Sequence, residues 1–245
     1  MKKLIYYIII IILTTLNCCS NDDIEQEALP PISNIPKGYI ARYSLNGNAN
    51  DDSEYRNHGK IEGPIITRTN RNGYEDSAMY FSKESSLYVP DSKALNLPNT
   101  ISISVWVKAG KYTGTITNGL HPWRTIVNKW GFFDGYFLAI NPYGHLRWRI
   151  DNEIIESSAP FPINEWTHIV VIYDGKSLKI YLNGILDNSA PYIGTIEPNT
   201  FRFTIGQQSN KFGLNGRFLG LIDEVVIYNR ALNEKEIDLL YKDEY

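Results

Sequence analysis

Hydrophobic residues recur with a period of two along most of this chain and with a helical period only at its end. Thr100 to Lys108 places Ile101, Ile103, Val105 and Val107 on one face, and Ser102, Ser104 and Trp106 on the other. The second face predicts that Trp106 packs under a loop. Tyr136 to Ile140 and His145 to Ile150 read as a hairpin across Asn141-Pro-Tyr-Gly144. In the second of these strands Leu146, Trp148 and Ile150 face one way, and His145, Arg147 and Arg149 the other. Thr167 to Tyr173 is almost continuously apolar, which predicts a strand covered on both faces. Asp174-Gly175 turns it into Leu178 to Leu182, and Asn183-Gly184 marks the next turn. Ser77 to Phe81, Ser86 to Val89 and Leu221 to Tyr228 are further strands, and Phe201, Phe203 and Ile205 alternate with Arg202 and Thr204. One helix is predicted, Glu234 to Tyr241, opened by Asn233 as N-cap with Glu236 three positions on. Many short strands, many turns and one terminal helix predict an all-β fold of two packed antiparallel sheets.

The amino terminus departs from this pattern. Met1-Lys-Lys is followed by thirteen residues, Leu4 to Leu16, dominated by apolar side chains. That run is too short to cross a bilayer comfortably and fits the core of a signal peptide. The two cysteines of the chain, Cys18 and Cys19, follow at once, which excludes a disulfide scaffold for the rest. Leu16-Asn-Cys-Cys19 resembles a bacterial lipobox, with Cys19 (or Cys18) as the lipidated residue; a cleaved soluble secretory protein is the alternative. Residues 20–27 carry four acids and continue into a Pro-rich spacer. The expected organisation is a signal peptide over 1–18, a tether over 19–37 and one domain over 38–245. A lipid there anchors the protein to a membrane without a transmembrane helix. An acidic patch after a lipidated cysteine resembles the export tag of outer-surface lipoproteins, which places the domain at the outer membrane; a plain solvated tether is the other reading. The formal charge of −3 becomes −5 once Lys2 and Lys3 are removed, so no basic stripe for nucleic acid is expected.

Two stretches carry a family resemblance. Near the start stands Tyr39-Ile-Ala-Arg-Tyr43 followed by the loop Asn50-Asp51-Asp52-Ser53…Asn57-His58-Gly59. Near the end stands Gly220-Leu-Ile-Asp-Glu-Val-Val-Ile-Tyr-Asn-Arg-Ala-Leu232. With Trp166 to Gly175 and Leu178 to Gly184 between them, they resemble the LamG-like, concanavalin A-like jelly-roll family over roughly Lys37 to Tyr245. The resemblance implies a two-sheet jelly-roll sandwich whose first and last strands pair, bringing Asp223 beside the Asp51 loop. It specifies fold more than activity, because that fold hosts lectins, hydrolases and adhesive modules.

Asp223 and Glu224 open an otherwise apolar strand, and acids there are costly unless hydrogen-bonded or holding a cation. A hard cation such as calcium needs roughly six to eight oxygens. Asp51 and Asp223 are therefore the candidate side-chain ligands, with Asn57 and nearby carbonyls completing the shell; a turn held by Asx hydrogen bonds is the alternative. For a ligand, the segment Lys111 to Gly135 reads as an aromatic insertion between two strands, too long for a tight turn. Trp123 and Trp130 are candidate platforms for sugar rings, with His145, Arg147 and Arg149 as polar partners on the neighbouring strand. The alternative is that these aromatics cover the sheet edge as a loop core, with Arg147 and Arg149 a solvated strand face. A glycoside hydrolase needs a carboxylate pair across a cleft. Glu236-Ile-Asp238 is the nearest match and falls in the predicted helix, so the chain reads as a binding module for a glycan or a surface protein and not as an enzyme.

Overall fold

The computed structural model describes residues 35–242 apart from 65, 83, 112–122, 132–133 and 208–215. The first compact unit of the chain, Met1–Pro31, lies outside the described residues, and with it the predicted signal peptide, Cys18 and Cys19. Fifteen strands follow in order among the described residues: β1 (Tyr39–Tyr43), β2 (Lys60–Glu62), β3 (Ile66–Arg68), β4 (Ala78–Phe81), β5 (Ser86–Val89), β6 (Ile101–Ala109), β7 (Arg124–Trp130), β8 (Gly135–Ile140), β9 (His145–Ile150), β10 (Glu153–Pro160), β11 (Trp166–Tyr173), β12 (Ser177–Leu182), β13 (Ile185–Pro191), β14 (Phe203–Ile205) and β15 (Gly220–Tyr228). A single α-helix among them, α1, spans Glu234–Lys242.

The strands form two antiparallel sheets. One runs β13-β12-β11-β6-β15-β4-β3, with β1 also paired to β15; the other runs β10-β9-β8-β7-β14-β5-β2. The main core lies between them. Ile101, Ile103, Val105 and Val107 meet Leu138, Leu146, Trp148 and Ile150 across the gap. The other side of the first sheet is covered by α1, whose Ile237 and Leu240 pack on Val170, Ile172, Val226 and Tyr228. Strand β11 is therefore apolar on both faces because it is buried on both faces. The capping box forms as the spacing predicts: Glu236 N donates to Asn233 Oδ1 at 3.1 Å, and Asn233 N donates to Glu236 Oε2 at 3.0 Å. At the edges of the two sheets, Ser158 N and Oγ of β10 donate to Asp187 of β13 at 2.8 and 2.6 Å, and Asn188 Nδ2 donates to the Glu156 carbonyl at 2.7 Å.

Two titratable side chains are buried within the strands. Lys129 of β7 is 1% exposed. Its ammonium is held by Asp91 Oδ1 at 2.7 Å, by the Phe201 carbonyl at 2.7 Å and by the Asn199 carbonyl at 3.3 Å. Burial lowers its pKa, and Asp91 offsets part of that. His168 of β11 is fully buried beneath Tyr241 of α1, with Nε2 2.8 Å from Ser104 Oγ. Burial, reinforced by the Arg71 charge, pulls its pKa down to about 3.

Lys129→Met leaves Asp91 and two carbonyls without their donor. It is expected to lower unfolding free energy by about 2–3 kcal/mol, less than for a fully buried pair because Asp91 is partly exposed, read from the urea midpoint. The folded chain keeps His168 neutral while the unfolded chain protonates it near pH 6.5. Stability from this group is therefore present above pH 6.5 and is lost as pH falls toward 3. Between pH 6.5 and 4.5 the loss is expected to be roughly 2–3 kcal/mol. His168→Gln should remove that component, seen as a smaller difference between melts at the two pH values.

Candidate functional site

The outer face of the seven-stranded sheet gathers most of the predicted ligand residues. Strand alternation points Leu146, Trp148 and Ile150 of β9 into the core and leaves Arg147 and Arg149 on the opposite face. Across from them lie two tryptophans. The Arg147 guanidinium sits 4.5 Å above the Trp123 ring, and that of Arg149 sits 4.2 Å above Trp130. Phe137 of β8 joins the two pairs, 5.8 Å from Trp123 and 6.1 Å from Trp130. The result is a five-membered row of three rings closed at each end by a cation. His145 shares their strand but turns its Nδ1 to the Ser157 carbonyl at 2.9 Å, bracing β10 rather than joining the row.

The row is anchored from both ends. Arg147 Nε donates to Glu156 Oε1 at 2.6 Å, and the same oxygen accepts from Asn141 Nδ2 at 2.8 Å. Burial pushes Glu156 up, but the donors Asn141 and Arg147 outweigh it and hold its pKa below the ordinary value. At the other end Arg149 Nε and Trp130 Nε1 both donate to the Asp151 carbonyl. Burial, then the neighbouring charge of Arg147, lowers the pKa of Arg149. The face thus concentrates positive charge against aromatic rings. Gly135, which starts β8 opposite Trp130, admits no side chain: it has φ +93°, and a Cβ would stand 2.0 Å from the Lys129 carbonyl.

Three residues of this face escape the sequence reading. Glu156 and Phe137 are assigned no role there, although Phe137 alternates with Tyr136 and Leu138. Asn128 pairs in register with Phe137 and is fully buried, yet neither atom of its amide has a hydrogen-bond partner. The expected insertion over Lys111 to Gly135 is also corrected: its second half contains strand β7. Tyr112, His121, Phe132 and Phe133 of that segment lie outside the described residues.

At the opposite sheet the chain ends meet. Strand β1 pairs with β15, Tyr43 opposite Val225 and Arg42 opposite Val226. The Asp51 carboxylate takes four donors: Arg42 N and Ser53 N at 2.9 Å on Oδ1, and Ser53 Oγ at 2.9 Å and Asn57 N at 2.8 Å on Oδ2. Asn57 also accepts Tyr43 Oη at its carbonyl, while its Nδ2 is buried without a partner. Asp223 Oδ2 receives Arg71 Nη1 at 3.3 Å, and the Arg71 guanidinium lies 4.5 Å over Trp106. Glu224 takes Arg42 Nε at 3.2 Å. Burial, then the adjacent Glu224, raises the pKa of Asp223, and Arg71 offsets this in part. Among the described residues no three His, Cys, Asp or Glu side chains gather as a metal would need. Asp223 Oδ1 is the carboxylate oxygen of this corner left buried and unpartnered. Glu236 and Asp238 sit on α1, bound to Arg230 and Lys242.

Comparison with known proteins fits this architecture. No curated protein matches the sequence. Domain 4 of AbnA, an extracellular arabinanase of Geobacillus stearothermophilus solved with arabinotriose, superposes with a TM-score of 0.64 at 23% identity, covering 84% of this chain and 98% of that one. The binding domain of Paraclostridial Mosquitocidal Protein 1 gives 0.68 at 20% identity, covering 83% of this chain and 52% of that one. The binding domain of botulinum neurotoxin DC, solved with rat synaptotagmin II, gives 0.63 at 16%, covering 83% and 51%. The chain thus spans about half the length of the toxin domains, and at these identities the likeness is one of fold. The family described as the concanavalin A-like lectin/glucanases superfamily matches residues 81–238, more than half of the sequence. With two antiparallel sheets, a helix packed on one of them and that match, the chain belongs to the concanavalin A-like lectin/glucanase superfamily.

Proposed function

We propose that the protein is a lipid-anchored cell-envelope module that binds carbohydrate on the outer face of its seven-stranded sheet and does not catalyse. The row Arg147–Trp123–Phe137–Trp130–Arg149 carries this reading. Aromatic rings offer flat apolar area to the C–H face of a sugar, and guanidinium groups fixed beside them offer donors to its hydroxyls. A toxin binding domain and an arabinanase domain in complex with arabinotriose, both similar in fold, support a binding role. The anchor rests on the cysteine motif and the localisation on the acidic tether, both from sequence. The acids Glu236 and Asp238, spent on capping and on ion pairs, support a non-enzymatic reading. A protein partner is the second reading, favoured by Ile185 and Leu186, which stand 72% and 49% exposed on edge strand β13.

Immobilised arabinan and a glycan array, run beside immobilised matrix proteins, separate the two. Trp123→Ala and Trp130→Ala are each expected to weaken glycan retention about tenfold, the worth of ~1.4 kcal/mol of ring contact, with little change in melting temperature. Retention by matrix proteins alone, insensitive to both variants, would favour the β13 edge.

Calcium at the Asp51–Asp223 corner is a separate proposal, and the unpartnered Asp223 Oδ1 is the observation behind it. Asp51 would have to exchange N–H donors for the ion. A melting temperature raised by calcium, and no longer raised in Asp223→Ala, is the outcome the proposal requires. Equal melts in calcium and in chelator leave Arg71 as the counter-charge of Asp223.

A further inference from the structure

Where β6 ends and β7 begins, a cavity of about 320 Å³ opens at one end of the sandwich, between the Asn141–Gly144 turn and the segment from Pro160 to Ile163. That volume lies at the small end of ligand pockets. Its charged lining, among the described residues, is Lys111 and Arg124, with no acid. This is unusual in a chain with 27 acidic and 24 basic side chains. Arg124 is buried, and its Nη1 donates to the Gly110 carbonyl at 3.3 Å, which fixes the guanidinium in the wall. Lys111 is exposed at the rim. Tyr143, 76% exposed, and Phe161 supply the apolar flank.

The cavity is continuous with the aromatic row through one chain of contacts. Asn141 lines it and donates to Glu156, which in turn holds Arg147 over Trp123. Glu156 is the carboxylate between the two, and its Oε1 accepts from both. At the far end Asp151 turns its own carboxylate to the main-chain N–H groups of Gly135 and Glu197. Four cations, Lys111, Arg124, Arg147 and Arg149, thus follow one another from the cavity along the row; Glu156 and Asp151, the acids in that chain of contacts, already have donors, and Asp134 and Glu197 stand near Asp151 at the end away from the cavity.

We propose that this cavity takes the carboxylate-bearing residue of an acidic glycan, while the adjoining sugar lies on the aromatic row. The proposal rests on the glycan-binding reading and adds to it the charge class of the ligand. A carboxylate oriented between a lysine and a fixed arginine gains two charge-assisted contacts, and the sugar carbons rest on Tyr143 and Phe161. A uronate and a sialate share this chemistry.

Titration calorimetry of the full chain tests it, with trigalacturonate against galactotriose and sialyllactose against lactose. The carboxylated member of at least one pair is expected to bind about tenfold tighter at 50 mM salt, with the difference shrinking at 500 mM. Which pair shows it identifies uronate or sialate. Lys111→Met, at an exposed side chain, is expected to cut that preference about threefold and leave the affinity for the neutral sugar unchanged. Equal binding of acidic and neutral sugars, or a preference untouched by Lys111→Met, overturns the cavity assignment while the aromatic row stands. Absence of binding to all four sugars, together with no glycan retained on the array, overturns both.

Discussion

Strand β15 has to satisfy three neighbours with two edges. Along one edge it pairs with β6 from Gly220 to Tyr228; along the other it pairs with β4 as far as Ile222 and with β1 from Val225. Two strands cannot abut on one edge without a step, and the step is the irregularity between Asp223 and Val226. Glu224 takes a left-handed backbone there, with φ 47°. The same step holds two carboxylates at the edge of the core, which is unfavourable unless each meets a positive group. Arg42 answers Glu224 from β1, and Arg71 answers Asp223 from the loop leading into β4. The two counter-charges come from the two segments that the step separates. Arg42 also gives its main-chain N–H to Asp51, so the loop after β1 is tied to the same corner.

From this corner the rest of the first sheet can be followed. Arg71 lies on Trp106, Trp106 stacks on Tyr241 of α1 at 5.9 Å, and Tyr241 covers His168. The terminal helix is therefore seated by an aromatic layer as well as by Ile237 and Leu240. The centre of this sheet is thus covered on both faces, whereas the cation–ring row proposed to bind lies on the outer face of the other sheet.

Much of this was readable from the residues. Strands with a clear apolar pattern, such as β6, β9, β11 and β12, stand within a residue or two of where that pattern puts them, and the cap of α1 forms from Asn233 and Glu236. The loop expected over Trp106 is present only in part: Arg71 of the loop before β4 lies on its ring, and Tyr241 of α1 supplies the other cover. What sequence hid was polarity in buried places. Strand β7 reads as loop because Arg124, Asn128 and Lys129 break its apolar pattern; Lys129 is tolerated only because Asp91 and two carbonyls, 38 to 72 residues away, surround its ammonium. The edge strands β10 and β13 carry little apolar signal, since β10 buries only Ile155 and Ser157 and no residue of β13 is fully buried. At the site, Trp123, Trp130, Arg147 and Arg149 were legible because aromatic and basic residues clustered on adjacent segments. Glu156, Phe137 and Asn128 were not, because their roles depend on strand register and on which neighbour each meets.

The lashing of β10 to β13 bears on how the proposed binding face would behave. Ser158 is bound to Asp187, Asn188 is bound to the Glu156 carbonyl, and the Glu156 side chain grips Arg147. One end of the row is thereby braced by the opposite sheet, through edge strands that belong to different sheets. A platform braced in that way has little freedom left to surrender when a guest arrives, so the ordering cost is met when the chain folds. Among guests of equal charge, discrimination on the proposed surface would then fall chiefly to how long each one stays.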